Sequence, residues 1–301
     1  MNRGLFTVLS RGGHANIVGD SESKRSYMHP MSYSRTAEEM VRRATAAFNS
    51  GKADEARRLC EQGLAGRPGD PMLHHLLAAV LLSQHELSAA RAHVEESLAR
   101  RPDHAAAQLL AARIARAARD FDGALAHLDR VIALAPQREA FLEKARTFDA
   151  AGVRPAAREA WRAILKVIPQ HLEAMARLGR LAWEDGDHAT AASLLERATR
   201  LDAPAPVWFD LGLVRQDLHD HQGAAAAYRR AFELEPDYAE AALNLGVALQ
   251  EAGDPDGAME AYARAYQLRP NMFGTIAMAL TSAPHGRLWL DEAALRKSLG
   301  D

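Results

Sequence analysis

Residues 205–238 read APVWFDLGLVRQDLHDHQGAAAAYRRAFELEPDY, and residues 239–272 continue AEAALNLGVALQEAGDPDGAMEAYARAYQLRPNM. Aligned on each other, the two stretches share Leu-Gly (Leu211-Gly212, Leu245-Gly246), then Ala224 and Ala258, Tyr228 and Tyr262, Ala231 and Ala265, and finally Pro236 and Pro270. Two successive segments with the same residues at the same offsets are an internal repeat.

The repeat extends through most of the chain. Prolines fall at Pro68, Pro102, Pro136, Pro169, Pro236 and Pro270, spaced by 34, 34, 33, 67 and 34 residues, the long step spanning two units. Its missing member falls at Ala203, beside Pro204. A second track is Ala56, Ala90, Ala124, Ala157, Ala191, Ala224 and Ala258. A third, twelve residues earlier in each unit, is always small: Ala44, Ala78, Ala112, Ala145, Gly179, Gly212 and Gly246. Alanine is common in this chain, so the second track alone proves little. Proline is not, and three tracks in one phase do not arise by chance.

The phase dictates a helical hairpin. Apolar residues recur at helical spacing from Thr36 onward. Each unit has room for two amphipathic helices of about 14 residues joined by a short turn. Small residues at the eighth and twentieth places let the helices approach closely. The fifteenth place ends the first helix, where Gly51, Gly152, Gly186 and Gly253 suit a left-handed cap. His85, Arg119 and His219 stand there in the other units and should cost stability. The proline follows the second helix because it cannot continue one.

These residues resemble the tetratricopeptide repeat: Trp208-x2-Leu211-Gly212, Ala224-x3-Tyr228, Ala231 and Pro236 follow its pattern, with Arg215 where the pattern has Tyr. The resemblance implies an all-α, right-handed superhelical solenoid of stacked antiparallel helix pairs. Seven units are phased at 37–70, 71–104, 105–137, 138–171, 172–204, 205–238 and 239–272. The first, third and fourth depart from the pattern, with Arg43, Ala111 and Lys144 in place of Leu. Trp161 and Trp208 occupy packing positions and are read as core. Residues 1–35 show no helical period and read as a poorly ordered leader, with Met1, Met28 and Met31 all open as translation starts. Phe273 to Ala283 forms one further helix, with Ile276, Ala279 and Leu280 turned back onto the seventh unit as a cap. In the tail, Asp291 suits the N-cap of a last helix from Glu292 to about Leu299.

Composition narrows the function. The chain has 301 residues, 25% of them charged, and a net charge of -2, so no basic field argues for nucleic acid. Arginine exceeds lysine and alanine abounds, which suggests a G+C-rich bacterial source. The one cysteine, Cys60, excludes an intrachain disulfide framework and a cysteine-rich zinc site. No apolar run approaches the roughly 18 residues of a membrane span, and the apolar stretch Leu5 to Leu9 is too short for a secretory segment. A cytoplasmic protein is expected. There is no phosphate-cradling glycine loop and no GxSxG elbow. His219-Asp220-His221 reads as a polar turn, since metal sites usually need three or four ligands. His74 and His75 are adjacent and point to different helix faces. No catalytic residue, cofactor or metal is expected.

The resemblance places the partner surface on the first helix of each hairpin, at positions two, five, six, nine, twelve and thirteen. Position nine is Arg113, Arg146 and Arg180 in three consecutive units, with Arg116 and Arg177 nearby. One reading is a ladder gripping an acidic or C-terminal segment of a partner, because guanidinium groups bind carboxylates two-pronged. The other is a wall paired with the chain's own acids: Glu139 or Glu143 for Arg113, Glu143 and Asp149 for Arg146, Glu173 for Arg177, Glu184 for Arg180. Trp183, Phe209, Leu213, Leu243 and Val247 form an apolar half of the groove, either open to a partner or covered by Leu288, Trp289 and Leu290 of the chain's own tail. Chaperone-binding relatives use Lys and Asn at groove positions; here Val41, Thr45, His75 and Ala79 replace them and only Asn244 fits, so a chaperone tail is not expected. The expected function is an interaction scaffold or adaptor. The alternatives are a regulatory or substrate-recruiting subunit of a separate enzyme, and a self-assembling homo-oligomer.

Overall fold

The computed structural model describes residues 30–282 and 292–300. Among these residues it contains α-helices, one 3-10 turn at Pro270–Met272, and no strand. The helices pair as expected: α1 (Pro30–Asn49) with α2 (Ala53–Gly66), α3 (Pro71–Ser83) with α4 (Leu87–Arg100), and α5 (Ala105–Ala117) with α6 (Phe121–Leu134). The series continues with α7 (Arg138–Ala151) and α8 (Arg154–Val167), α9 (Leu172–Glu184) and α10 (His188–Thr199), α11 (Ala205–Asp217) and α12 (His221–Leu234), and α13 (Ala239–Glu251) and α14 (Pro255–Leu268). Each second helix also packs on the first helix of the next unit, so the pairs stack into a solenoid. No described helix is long and apolar enough to cross a membrane.

Helix α1 begins at Pro30, so residues 30–35, read above as leader, are helical. Proline is tolerated in a first turn because its missing N–H has no intrahelical partner there. The remainder of that stretch lies outside the described residues, as do Leu288, Trp289, Leu290 and Asp291.

Local chemistry sets the helix ends. In six units the second helix ends two residues before its proline, with Arg67, Arg101, Ala135, Ile168, Glu235 and Arg269 as the C-caps between. Each of these has an extended φ between -129° and -157°, as a following proline demands. The fifth unit lacks the proline and turns instead through Asp202, whose φ is +56°. The fifteenth place is left-handed throughout: Gly51, Gly152, Gly186 and Gly253, but also His85 at +61°, Arg119 at +62° and His219 at +60°. Side chains pay a steric penalty in that region that glycine does not. The next residue is aspartate in four units, and Asp120, Asp187, Asp220 and Asp254 each accept a backbone N–H three residues on, capping the second helix.

The hairpins close on the small residues. Ala56, Ala90, Ala124, Ala157, Ala191, Ala224 and Ala258 are buried, as are Ala44, Ala78, Ala112 and Ala145. The opposing glycines face large side chains. A Cβ on Gly246 would lie 2.5 Å from Cε1 of Tyr262, and one on Gly179 would lie 2.8 Å from Cγ of Leu195. Tyr228 and Tyr262 are fully buried, and their hydroxyls donate to Gln216 Oε1 at 3.0 Å and Gln250 Oε1 at 2.9 Å. Trp161, also fully buried, donates Nε1–H to Asp149 Oδ2 at 2.8 Å from the same two repeat positions. The pairing satisfies a polar tip that burial would otherwise orphan. Trp208 is only half-buried.

The stack is capped at its C-terminal end. Helix α15 (Phe273–Ser282) buries Ile276 and Leu280 against the seventh unit. Helix α16 (Glu292–Leu299) packs on α14 through Leu295 and Leu299. Arg296 lies over the Phe273 ring at 4.0 Å and donates to the Tyr266 hydroxyl at 3.0 Å. The described part of the tail therefore covers the end of the stack.

Candidate partner-binding groove

The groove positions divide into two clusters, one ionic and one apolar. The ionic cluster joins α5, α7 and α9. Glu143 is 3% exposed and accepts from Arg113 Nε at 3.0 Å, Arg116 Nη2 at 3.1 Å and Arg146 Nη1 at 2.9 Å. Arg113 also donates to Glu139 at 2.6 Å. Arg146 meets both oxygens of Glu173, Nε to Oε1 at 2.9 Å and Nη2 to Oε2 at 2.6 Å. Guanidiniums and carboxylates balance here, so the cluster is neutral. The hydrogen bonds from Arg146 hold the Glu173 carboxyl below its ordinary range, and those to Glu173 hold Arg146 above its own.

Arg113 pairs with both acids expected of it. Arg146 finds Glu143, but its second partner is Glu173 of the next unit. Arg177 does not pair with Glu173; its nearest carboxylate is Asp149, at 3.8 Å. Burial raises the Asp149 carboxyl, and Trp161 already holds it. Arg180 reaches Glu184 at 3.5 Å and, more closely, Asp210 at 2.6 Å. Pairing between units follows one rule: arginine at position nine meets acids at positions two and six of the following unit. That signal was present in the sequence, at separations of 26 to 30 residues. Of the ladder arginines, Arg177 is the most exposed, at 55%, and the least committed.

The apolar cluster occupies α9, α11 and α13. Trp183 donates Nε1–H to Asp217 Oδ2 at 2.6 Å, and Arg180 lies 5.6 Å over its ring. Phe209 stacks on Tyr238 with ring centroids 5.1 Å apart. Leu213, Leu243 and Val247 are half-buried and pack against the core beneath them. Phe209 packs against the same core, whereas Trp183 packs against that of the preceding units. Asn244 is half-buried and lies near the buried Tyr228 hydroxyl.

Cys60 is buried, and burial pushes its thiol up to about 12. A thiol at that value is not a nucleophile at neutral pH. His219 turns the backbone and Asp220 caps α12, as read for a polar turn. His74 Nε2 faces the carbonyl of Pro68 at 2.8 Å, which only accepts, so it carries the proton. Its Nδ1 then accepts from His93 Nδ1–H at 2.9 Å. Among the described residues no group of three or more His, Cys, Asp or Glu is placed to hold a metal ion.

A fold of stacked helix pairs with this hairpin chemistry defines an α-solenoid. Tetratricopeptide repeat profiles match residues 81–146, 142–206 and 209–273, together more than half of the chain. The protein belongs to the tetratricopeptide repeat family. The crystal structure of PilW, described as a type IV pilus biogenesis factor, is similar with a TM-score of 0.61 and 16% identity, covering 71% of this chain and 99% of that one. Pseudomonas aeruginosa PilF gives 0.59 and 14%, covering 68% and 94%. A tetratricopeptide repeat protein from Parabacteroides merdae gives 0.57 and 15%, covering 75% and 88%. At these identities the likeness is one of fold. No curated protein matches the sequence.

Proposed function

We propose that the protein is a non-catalytic scaffold in a bacterial cytoplasm that binds a segment of a partner protein along the groove lined by its first helices. The observation that carries this reading is the strip formed by Trp183, Phe209, Leu213, Leu243 and Val247 beside Arg177. It offers half-buried apolar surface on the same helices as a guanidinium that is 55% exposed and whose nearest carboxylate, Asp149, stands 3.8 Å away. A partner segment lays its apolar side chains along the strip and sets an acidic side chain or C-terminal carboxylate at Arg177. Arg113, Arg116 and Arg146 hold the wall, since a partner carboxylate there would have to displace the chain's own.

Affinity purification of the tagged protein, with stoichiometric mass spectrometry of what co-elutes, tests the proposal. A groove binder is released at least about tenfold by Arg177→Glu combined with Leu243→Ser, with the helical circular dichroism unchanged. Equal recovery of the partner by wild type and variant would dismiss the groove.

A further inference from the structure

A cavity of about 480 Å³ opens at the edge of the groove, where α11, α13 and the turn between α12 and α13 meet. Phe209 and Glu240, at groove positions five and two, line it together with Glu235, Asp237, Tyr238 and Arg269. The turn is set by Pro236, which holds Glu235 extended ahead of it. Tyr238 then stands as the N-cap residue of α13. In three other units the residue at this place caps the next helix with its side chain: Asp70, His104 and His171. Tyr238 makes no such bond. It lays its ring against Phe209 instead, with the centroids 5.1 Å apart and the planes 30° from parallel.

The charge beside these rings is one-sided. Arg269 pairs with Glu240. Glu235 and Asp237 are exposed, and neither carboxylate has an ion-pair partner among the described residues. The field converges on the ring pair. Burial, and then the charges of Asp210, Glu240 and Glu235, push the Tyr238 hydroxyl above its ordinary range, with Arg180 opposing them. Among the described residues no cation of the chain stands over the face of Phe209 or Tyr238. The N-terminus of α13 by itself accounts for Glu240 in its first turn. It does not call for a tyrosine ring in place of a cap, nor for two further carboxylates outside the helix.

We propose that this cavity receives an arginine side chain of the partner segment that lies in the groove. The proposal rests on the groove reading and adds the chemistry of the partner. A guanidinium stacks on an aromatic face and offers paired N–H groups to carboxylates, and the cavity presents both. A metal ion is a poorer match, since no group of three or more described acids, histidines or cysteines is placed to hold one. A free small molecule would stay half in water, because the cavity is open along one side, whereas a segment in the groove brings its own cover. Phe209 belongs to the apolar strip as well as to the cavity, so the two surfaces are continuous. Arg177 on α9 stands about one and a half helix spacings away, roughly 12–15 Å. That distance is spanned by about four residues of extended chain. The segment therefore carries an acidic group for Arg177 and an arginine about four residues from it.

The probe is N-acetyl-arginine methylamide, with the citrulline analogue as its neutral counterpart. Each is titrated into the full chain and followed by the amide NMR signals of Phe209, Tyr238 and Glu240. The arginine probe should bind at least about fivefold tighter than the citrulline one. Glu235→Gln combined with Asp237→Asn should weaken it about fivefold, and Tyr238→Leu about threefold. Arg177→Glu should leave it unchanged. Equal affinity for the two probes, indifference to both cavity variants, or loss on Arg177→Glu would each overturn the proposal. Affinity purification of the partner separates this site from the groove. Partner released by Glu235→Gln with Asp237→Asn, and also by Arg177→Glu with Leu243→Ser, supports both. Partner kept by the cavity variant but released by the groove variant leaves the groove standing and overturns the arginine. The reverse pattern dismisses the groove and keeps the arginine, and retention by both variants dismisses both.

Discussion

Replacing Gly246 by alanine should change sign with the residue it faces. The added Cβ would sit 2.5 Å from Cε1, 2.6 Å from Cδ1 and 3.0 Å from Cγ of Tyr262, where ordinary contact begins near 3.4 Å. Tyr262 has nowhere to retreat. It is fully buried, and its hydroxyl is fixed to Gln250 Oε1 at 2.9 Å. Gln250 is itself 3% exposed and donates to the Ala279 carbonyl of the capping helix at 3.3 Å. Overpacking of this kind costs about 1–3 kcal/mol. The gain in helix propensity from glycine to alanine returns about 0.8–1 kcal/mol. The net expectation is a loss of about 1 kcal/mol. In the Tyr262→Leu background the clash is gone, and the pair becomes the one already present in the third unit, where Ala112 faces the buried Leu128. There Gly246→Ala should stabilise by up to about 1 kcal/mol, although Tyr262→Leu alone costs about 2–3 kcal/mol for the lost ring and the orphaned Gln250 oxygen. The coupling is thus about 2 kcal/mol. Urea titration of the four proteins, followed by far-ultraviolet circular dichroism, measures it. Midpoints and slopes must both be compared, because repeat arrays do not always unfold in one step. The reasoning fails if Gly246→Ala stabilises the Tyr262 protein as much as the Tyr262→Leu protein.

Three further outcomes follow from other parts of the fold. Glu143→Gln removes the central charge from Arg113, Arg116 and Arg146 and should destabilise by about 2 kcal/mol, a value discounted because these arginines are about one-third exposed; urea midpoints check it, and a shift within experimental error would show that the cluster contributes nothing. Arg119→Gly relieves a left-handed φ of +62° and should stabilise by about 0.5–1 kcal/mol after the lost contact with the Phe121 ring; a lower midpoint would refute the strain. Burial holds the imidazoles of His75, His93 and His127 below their ordinary value of 6.5. The unfolded chain then binds more protons than the folded one as pH falls through 6.5, so stability present at pH 7.5 should decline toward pH 5. His127→Gln should flatten that slope, and an unchanged slope between pH 7.5 and 5 would argue against the role of burial there.

The hairpins were readable from residue order because their determinants are local or exactly periodic in effect. Proline ends a helix wherever it stands, a left-handed turn selects glycine at the fifteenth place, and a small residue recurs where two helices must touch. Even the price of His85, Arg119 and His219 could be foreseen from the period, and each is left-handed in the structure. The charge state of the groove was a different matter. Arg146 had acids within one turn of its own helix, yet its two-pronged partner is Glu173, from the next unit. Arg177 had Glu173 one turn back, yet lies nearest to Asp149. Which carboxylate wins depends on how adjacent units are rotated and how deeply each acid is buried, and neither is written in the spacing. A hollow of about 580 Å³ between α7 and α8, with Lys144 in its wall, belongs to the same class: the sequence showed a lysine in a leucine's place, but only packing could decide between a collapsed gap and an open one. Order along the chain determines the repeating unit because its forces act within one hairpin; the surface offered to a partner emerges where hairpins meet.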